Sequence, residues 1–148
     1  GNNMKYKLNM NHCSCEDGYQ LGTCIHDYLI SKDIKKCCIS ITLYGKEVYR
    51  YMSDACIVDN GHWLQRKTNS CLYFGMSTLE LFEKNKGNEQ NLVQKYGLTY
   101  KDYTFIPGSI PIVLDNDQVI GACTVSGMKP EEDHQSILDG FELYVNRK

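Results

Sequence analysis

The chain has 148 residues, of which 42% are apolar and 23% charged, and a net charge of -2. That size suits a single domain, residues 1–148, able to bury a hydrophobic core without staples; the weak negative charge excludes the clustered basic surface that nucleic-acid binding requires. No apolar run approaches the roughly 18 residues of a membrane span, and no apolar stretch near the start reads as a secretory signal, so the expectation is a cytoplasmic protein.

Gly1-Asn2-Asn3 ahead of Met4 are set aside, and residues 1–12 are expected to form a flexible lead-in. Ser14, with Asp17 three positions on, fits a capping box. Leu21, Cys24, Ile25, Tyr28 and Leu29 then recur at helical spacing and predict a helix ending near Lys32. Residues 37–44 alternate, with Cys37, Ile39, Ile41 and Leu43 on one face and Cys38, Ser40, Thr42 and Tyr44 on the other. Gly45-Lys46 reads as a hairpin turn, and Glu47 to Met52 as the returning strand.

Asp59-Asn60-Gly61 opens a helix predicted over 62–74, stopped by Gly75. Ser77-Thr78-Leu79-Glu80 starts a short helix that Gly87 ends. Residues 88–97 are polar with room for one helical turn, and Tyr96, Tyr100, Tyr103 and Phe105 mark an aromatic-rich extended segment. Two strands follow at 110–114 and 118–126 around Asp115-Asn116-Asp117. Pro111, which cannot donate to a ladder, belongs at a strand start or edge. The last helix opens on Pro130 and buries Ile137, Leu138, Phe141, Tyr144 and Val145. Gly140 inside it is unfavourable by propensity, which predicts close packing against a neighbour. Hairpin-linked antiparallel strands with helices at both ends predict an α+β sandwich.

Eight cysteines raise the question of a disulfide framework. The chain needs no staples, Cys37 and Cys123 fall in apolar strand patterns, and no Cys-x-x-Cys pair occurs, so reduced structural thiols are expected and zinc has no motif. His12 with Cys13 and Cys15 is the one local cluster.

Three constellations carry chemistry. Trp63, Arg66 and Lys67 lie at i, i+3 and i+4 of one helix, so the indole and two cations adjoin. They read either as a grip on a carboxylate or phosphate, or as an exposed basic face that stacks or pairs between subunits. The bend at Pro107-Gly108-Ser109 and the acidic start of the last helix are expected to meet, which makes Gly108, Ser109 and Asp133 candidate ligand contacts. Asp133 and His134 read either as an acid–base or ligand pair, or as dipole-complementing acid and exposed histidine, the plainer reading that Glu131, Glu132 and Asp133 together favour. No activated nucleophile, phosphate loop or dinucleotide fingerprint is present.

Trp63-Leu64-Gln65-Arg66-Lys67, Phe74, Ser77, Pro107-Gly108-Ser109-Ile110-Pro111-Ile112, Gly121, Val125-Ser126-Gly127 and Glu132-Asp133-His134 together resemble the haem-degrading-domain-like family, related to the GlcG and HbpS proteins and to the C-terminal domain of PduO. The resemblance implies a profilin-like fold, with a central antiparallel sheet of about five strands flanked by helices, and a homo-oligomer. It also implies haem or another tetrapyrrole as a possible cofactor, with His26 and His134 as the histidines that could ligate it. A fungal branch of the family is cytoplasmic and linked to delivery of tail-anchored membrane proteins, and many members have no demonstrated activity. Ile106-Pro107 and Ser109 stand where the family is richer in glycine, and Lys129 where a Ser or Thr cap is usual. The reading is a homo-oligomeric binding or adaptor protein without catalysis; the alternative is a protein that binds haem or another small anionic ligand and assists haem breakdown.

Overall fold

Ser14 accepts the Asp17 N–H at 3.1 Å and the Asp17 carboxylate accepts the Ser14 N–H at 2.9 Å, so the expected capping box forms and starts the first helix. In the computed structural model, which describes residues 5–148, ten elements follow one another: β1 (Leu8–Met10), α1 (Cys15–Ser31), β2 (Cys38–Leu43), β3 (Lys46–Met52), α2 (Val58–Phe74), α3 (Thr78–Lys84), α4 (Asn91–Gln94), β4 (Ser109–Leu114), β5 (Val119–Ser126) and α5 (Pro130–Asn146). The strands form one sheet in the order β1-β4-β5-β2-β3. This is the α+β architecture expected, with two corrections to the sheet.

First, the expected flexible lead-in contributes a strand. Residues 1–4 lie outside the described residues, but Leu8 and Met10 are buried in the core, and β1 pairs with β4. A three-residue strand is too short to show periodicity in a sequence. Second, that pairing is parallel, so the sheet is mixed; the other three ladders are antiparallel.

The β2–β3 turn is Tyr44-Gly45, one residue earlier than expected, since Leu43 pairs with Lys46. Both turn residues have positive φ, 52° and 78°, as a two-residue hairpin of this hand requires. Tyr44 is held there by its N–H to Ile120 O at 2.8 Å and its hydroxyl to Cys13 O at 2.7 Å. Helix α2 starts four residues earlier than predicted because Asn60, its third residue, reaches back to accept the Ile57 N–H at 2.8 Å. Gly75 ends it in the left-handed conformation, as expected.

Residues Cys37, Ile39, Ile41 and Leu43 join Ile110, Ile112, Cys123 and Val125 in one apolar core beneath α1 and α5. A Cβ on Gly140 would lie 2.5 Å from Ile25 Cγ1 and 2.9 Å from Ile25 Cα, so the glycine lets α5 approach the backbone of α1. The opposite face of the sheet packs on α2. The aromatic segment forms no strand; Phe105, Tyr96 and Tyr103 instead pack with Phe74, Leu81 and Leu92 in a second, smaller cluster.

Candidate functional site

The α2 face of the sheet is lined with polar groups. Thr68 and Thr124 share a hydrogen bond of 2.7 Å, Thr124 and Ser109 one of 2.8 Å, and the Ser109 N–H reaches Thr78 Oγ1 at 2.9 Å. Each polar group on this buried face has to be satisfied locally, and short hydroxyl chains do so here.

Lys67 is among the largest fully buried side chains of the described residues, and it is the charged one. It lies on the same α2 face as Leu64 and Cys71 and points into the sheet end. Its Nζ donates to Asp133 Oδ2 at 3.1 Å, Ser126 Oγ at 3.2 Å and Val125 O at 3.3 Å. Three donors meet three acceptors, which satisfies an ammonium group. Asp133 receives the Met128 N–H on its other oxygen at 3.1 Å. Both side chains are 2% exposed. Burial pushes the Lys67 amine down from its ordinary value, with Asp133 opposing the shift. Burial likewise pushes the Asp133 carboxyl up to about 6, against the pull of Lys67 and the Met128 N–H.

Gly108 makes room for this lysine. Its φ is +137°, and a Cβ there would lie 2.6 Å from Val125 O and 2.7 Å from Lys67 Nζ. A side chain at 108 would displace the ammonium group.

Above the pair opens a cleft of about 290 Å³, walled by Trp63, Ile106, Met128 and Pro130, with Asn60, Ser126 and Gly127 at its margins and Lys67 and Asp133 lining it. Arg66 stacks on the Trp63 indole with Cζ 4.0 Å from the ring centre. Of the three arginines, Arg50 pairs with Glu47 and Arg147 with Asp27. Arg66 has no carboxylate partner among the described residues, and its buried Nε has no hydrogen bond.

Of the residues singled out in the sequence, Trp63, Lys67 and Asp133 thus meet in one cleft, with Arg66 and Gly108 adjoining. Ser109 does not join them: its hydroxyl and N–H are spent on Thr124 and Thr78. Asp133 is not a surface acid complementing the helix dipole, and His134 is not exposed but 3% accessible, with Nε2 at 2.8 Å from Lys5 O and Nδ1 buried without a partner. Both corrections have one cause: α5 meets the sheet with its first turn, so its third acidic residue, Asp133, and the next residue face inward. His26 lies on α1, stacked edge-on against Tyr51 at 4.6 Å and with Nδ1 3.2 Å from Asp27 Oδ1, so it is no part of the cleft. Sequence reasoning missed Asn60, Ser126 and Met128. The one available signal was Lys67 itself, a charge at helical spacing between Leu64 and Cys71. All eight cysteines are free, six of them buried.

A family description, haem degrading protein HbpS-like, matches residues 13–142. A UPF0303 protein of Rhizobium rhizogenes is 35% identical over 132 residues, covering 86% of this chain and 78% of its own length. One from Brucella melitensis is 31% identical, covering 88% and 77%. Among solved structures, the Ybr137w protein superposes with a TM-score of 0.85 at 26% identity, over 95% of this chain and 83% of that one. The fold is shared with a complex of PduOC with haem, at a TM-score of 0.67 and 15% identity, over 88% and 94% of the two chains. Sequence, fold and the matched span agree, and the chain belongs to the HbpS-like family of haem-degrading proteins.

Proposed function

We propose that this protein is a cytoplasmic, homo-oligomeric binding protein without catalysis, and that its ligand is a small anion seated in the Trp63 cleft. One observation carries the reading: an aromatic-walled cleft whose base is a buried ion pair, beside an arginine that has no partner among the described residues. A fully hydrogen-bonded pair offers a fixed polar floor, and a free guanidinium offers the fork that carboxylates and phosphates fit. Ser126 Oγ accepts from Lys67 Nζ, which also donates to Asp133 and Val125, so the ammonium group is occupied as a donor. Calorimetric titration with inorganic phosphate and short-chain carboxylates is expected to give saturable binding that Arg66→Ala weakens about tenfold or more. Flat traces for every probe contradict the reading.

The family and the haem complex of a structural neighbour favour haem as the second reading. The cleft, at about 290 Å³, falls just below the span of ligand pockets, roughly 300–1,000 Å³, and holds no histidine, so its residues do not enclose a macrocycle. His134 is closed off. Of the two candidate ligands, His26, half-buried on α1, is the one whose Nε2 makes no hydrogen bond among the described residues. Hemin titration followed in the Soret band separates the readings: a saturable shift lost in His26→Ala and kept in His134→Ala supports haem at α1, and no shift removes it. The homo-oligomer is tested by light scattering, where a mass of 17.0 kDa contradicts it.

A further inference from the structure

Two thiols beside the cleft have no part in the binding reading. Cys38, on β2, is fully buried on the α2 face, and its Sγ donates to Ser126 O at 3.5 Å and Asn60 O at 3.7 Å. Both of those residues line the cleft. Cys56, in the loop before α2, is half-buried, with its Sγ 3.4 Å from Cys37 O and 3.5 Å from Ser53 Oγ. It therefore lies over the Cys37–Cys38 peptide. The Cys37 side chain turns to the other, apolar face, which leaves Cys38 as the neighbouring thiol on the cleft side.

We propose that Cys56 and Cys38 form an oxidation site for hydroperoxides, and that the disulfide between them reshapes the floor of the Trp63 cleft. The Cys56 sulfur attacks the terminal peroxide oxygen. An S–O bond forms, the O–O bond breaks, and the departing alkoxide leaves as an alcohol with the thiol proton. Cys56 is oxidised by two electrons to a sulfenic acid and the peroxide is reduced. The Cys38 sulfur then attacks the Cys56 sulfur. The S–S bond forms, the S–O bond breaks, and hydroxide leaves as water with the Cys38 proton.

The division of roles follows from position. Cys56 is reachable from solvent, in the loop just ahead of α2, so a peroxide meets it first. Cys38 is sealed from solvent, which keeps it from meeting a peroxide directly and leaves it the second step; burial, with Cys56 next, pushes its thiol up to about 12. The disulfide removes the proton that Cys38 now shares between Asn60 O and Ser126 O. These carbonyls belong to the start of α2 and the end of β5, the two elements that flank the cleft, and Trp63 is one helical turn beyond Asn60.

Trp63 is the sole tryptophan, so the protein carries its own reporter. The full chain is treated with hydrogen peroxide, alkylated, mapped by mass spectrometry and followed by tryptophan emission. The expected result is a linked peptide pair through Cys38 and Cys56, together with an emission shift that a dithiol reductant reverses. Cys56→Ser, at a half-buried loop position, is expected to show neither. Cys38→Ala is expected to leave Cys56 as a sulfenic acid that dimedone captures. A native protein in which Cys56 stays unreactive, or a disulfide that excludes it, overturns the site. A Cys38–Cys56 link with unchanged emission, or a shift that persists in Cys56→Ser, overturns the coupling to the cleft. None of these outcomes depends on ligand binding.

Discussion

The two faces of the sheet use the same strands and are filled in opposite ways. Under α1 and α5, Ile39, Ile41, Leu43, Ile110, Ile112 and Val125 make a core held by apolar area. Under α2, the alternate residues Ser40, Ser109, Thr124 and Ser126 are just as buried, yet each is held by hydrogen bonds: Ser40 to Glu47, Ser109 to Thr124, and Ser126 to Lys67 of the Lys67–Asp133 ion pair. Apolar packing tolerates small changes of shape, whereas a buried polar network is costly when one member is removed. That asymmetry marks the α2 face as the one whose composition stability alone does not explain.

The largest expected effect is Lys67→Ala, which strands a buried carboxylate and should cost about 3–5 kcal/mol in denaturant unfolding. The double change Lys67→Met with Asp133→Leu should recover most of that loss, because burying an ion pair brings little net stability. On the apolar face, Ile41→Ala should cost about 2–5 kcal/mol through the cavity it leaves, and no partner change should rescue it. Thr124→Val is expected to cost about 1–3 kcal/mol by orphaning the Thr68 and Ser109 hydroxyls; a neutral result would mean that the hydroxyl chain adds nothing beyond filling space.

The smallest effect is a pH slope. The Asp133 carboxyl is raised to about 6 in the folded protein, against about 3.9 unfolded. Between those values the native state holds the extra proton, so this group's contribution to stability is full below the unfolded value, falls as pH rises and is lost above about 6. Asp17 is shifted the other way, foremost by the Ser14 N–H, so its contribution is present above its unfolded value and lost as pH falls through the lowered one. Asp133→Asn should therefore remove a downward slope between roughly pH 4 and 6 from the unfolding free energy, and leave the acid-side slope from Asp17 in place.

The apolar face was legible in the sequence. Alternation from Cys37 to Leu43, the helical stripe from Leu21 to Leu29 and the packing glycine at 140 each appear in the structure as read. The polar face was legible only in part. Trp63, Lys67 and Asp133 were singled out as candidate ligand contacts, with exposed surface groups as the alternative, but not as a cleft over a buried ion pair. The burial of Lys67 and Asp133 depends on the angle at which α2 and α5 reach the sheet end, and that angle is a tertiary property without a local signal. The same holds for β1, whose three residues gain their place from pairing with β4, and for Ser109, whose neighbours across the sheet claim its hydroxyl.

The claim that the polar face was built for a ligand is tested most directly by tryptophan fluorescence. Trp63 emission is followed as phosphate and short carboxylates are added to wild type, to Arg66→Ala and to the apolar-face control Ile41→Val. Saturable quenching by at least one anion in wild type and the control, weakened about tenfold or more in Arg66→Ala as loss of a charged hydrogen bond of about 1.5–3 kcal/mol requires, is the predicted result. No saturable response, or equal affinity in all three proteins, would contradict it.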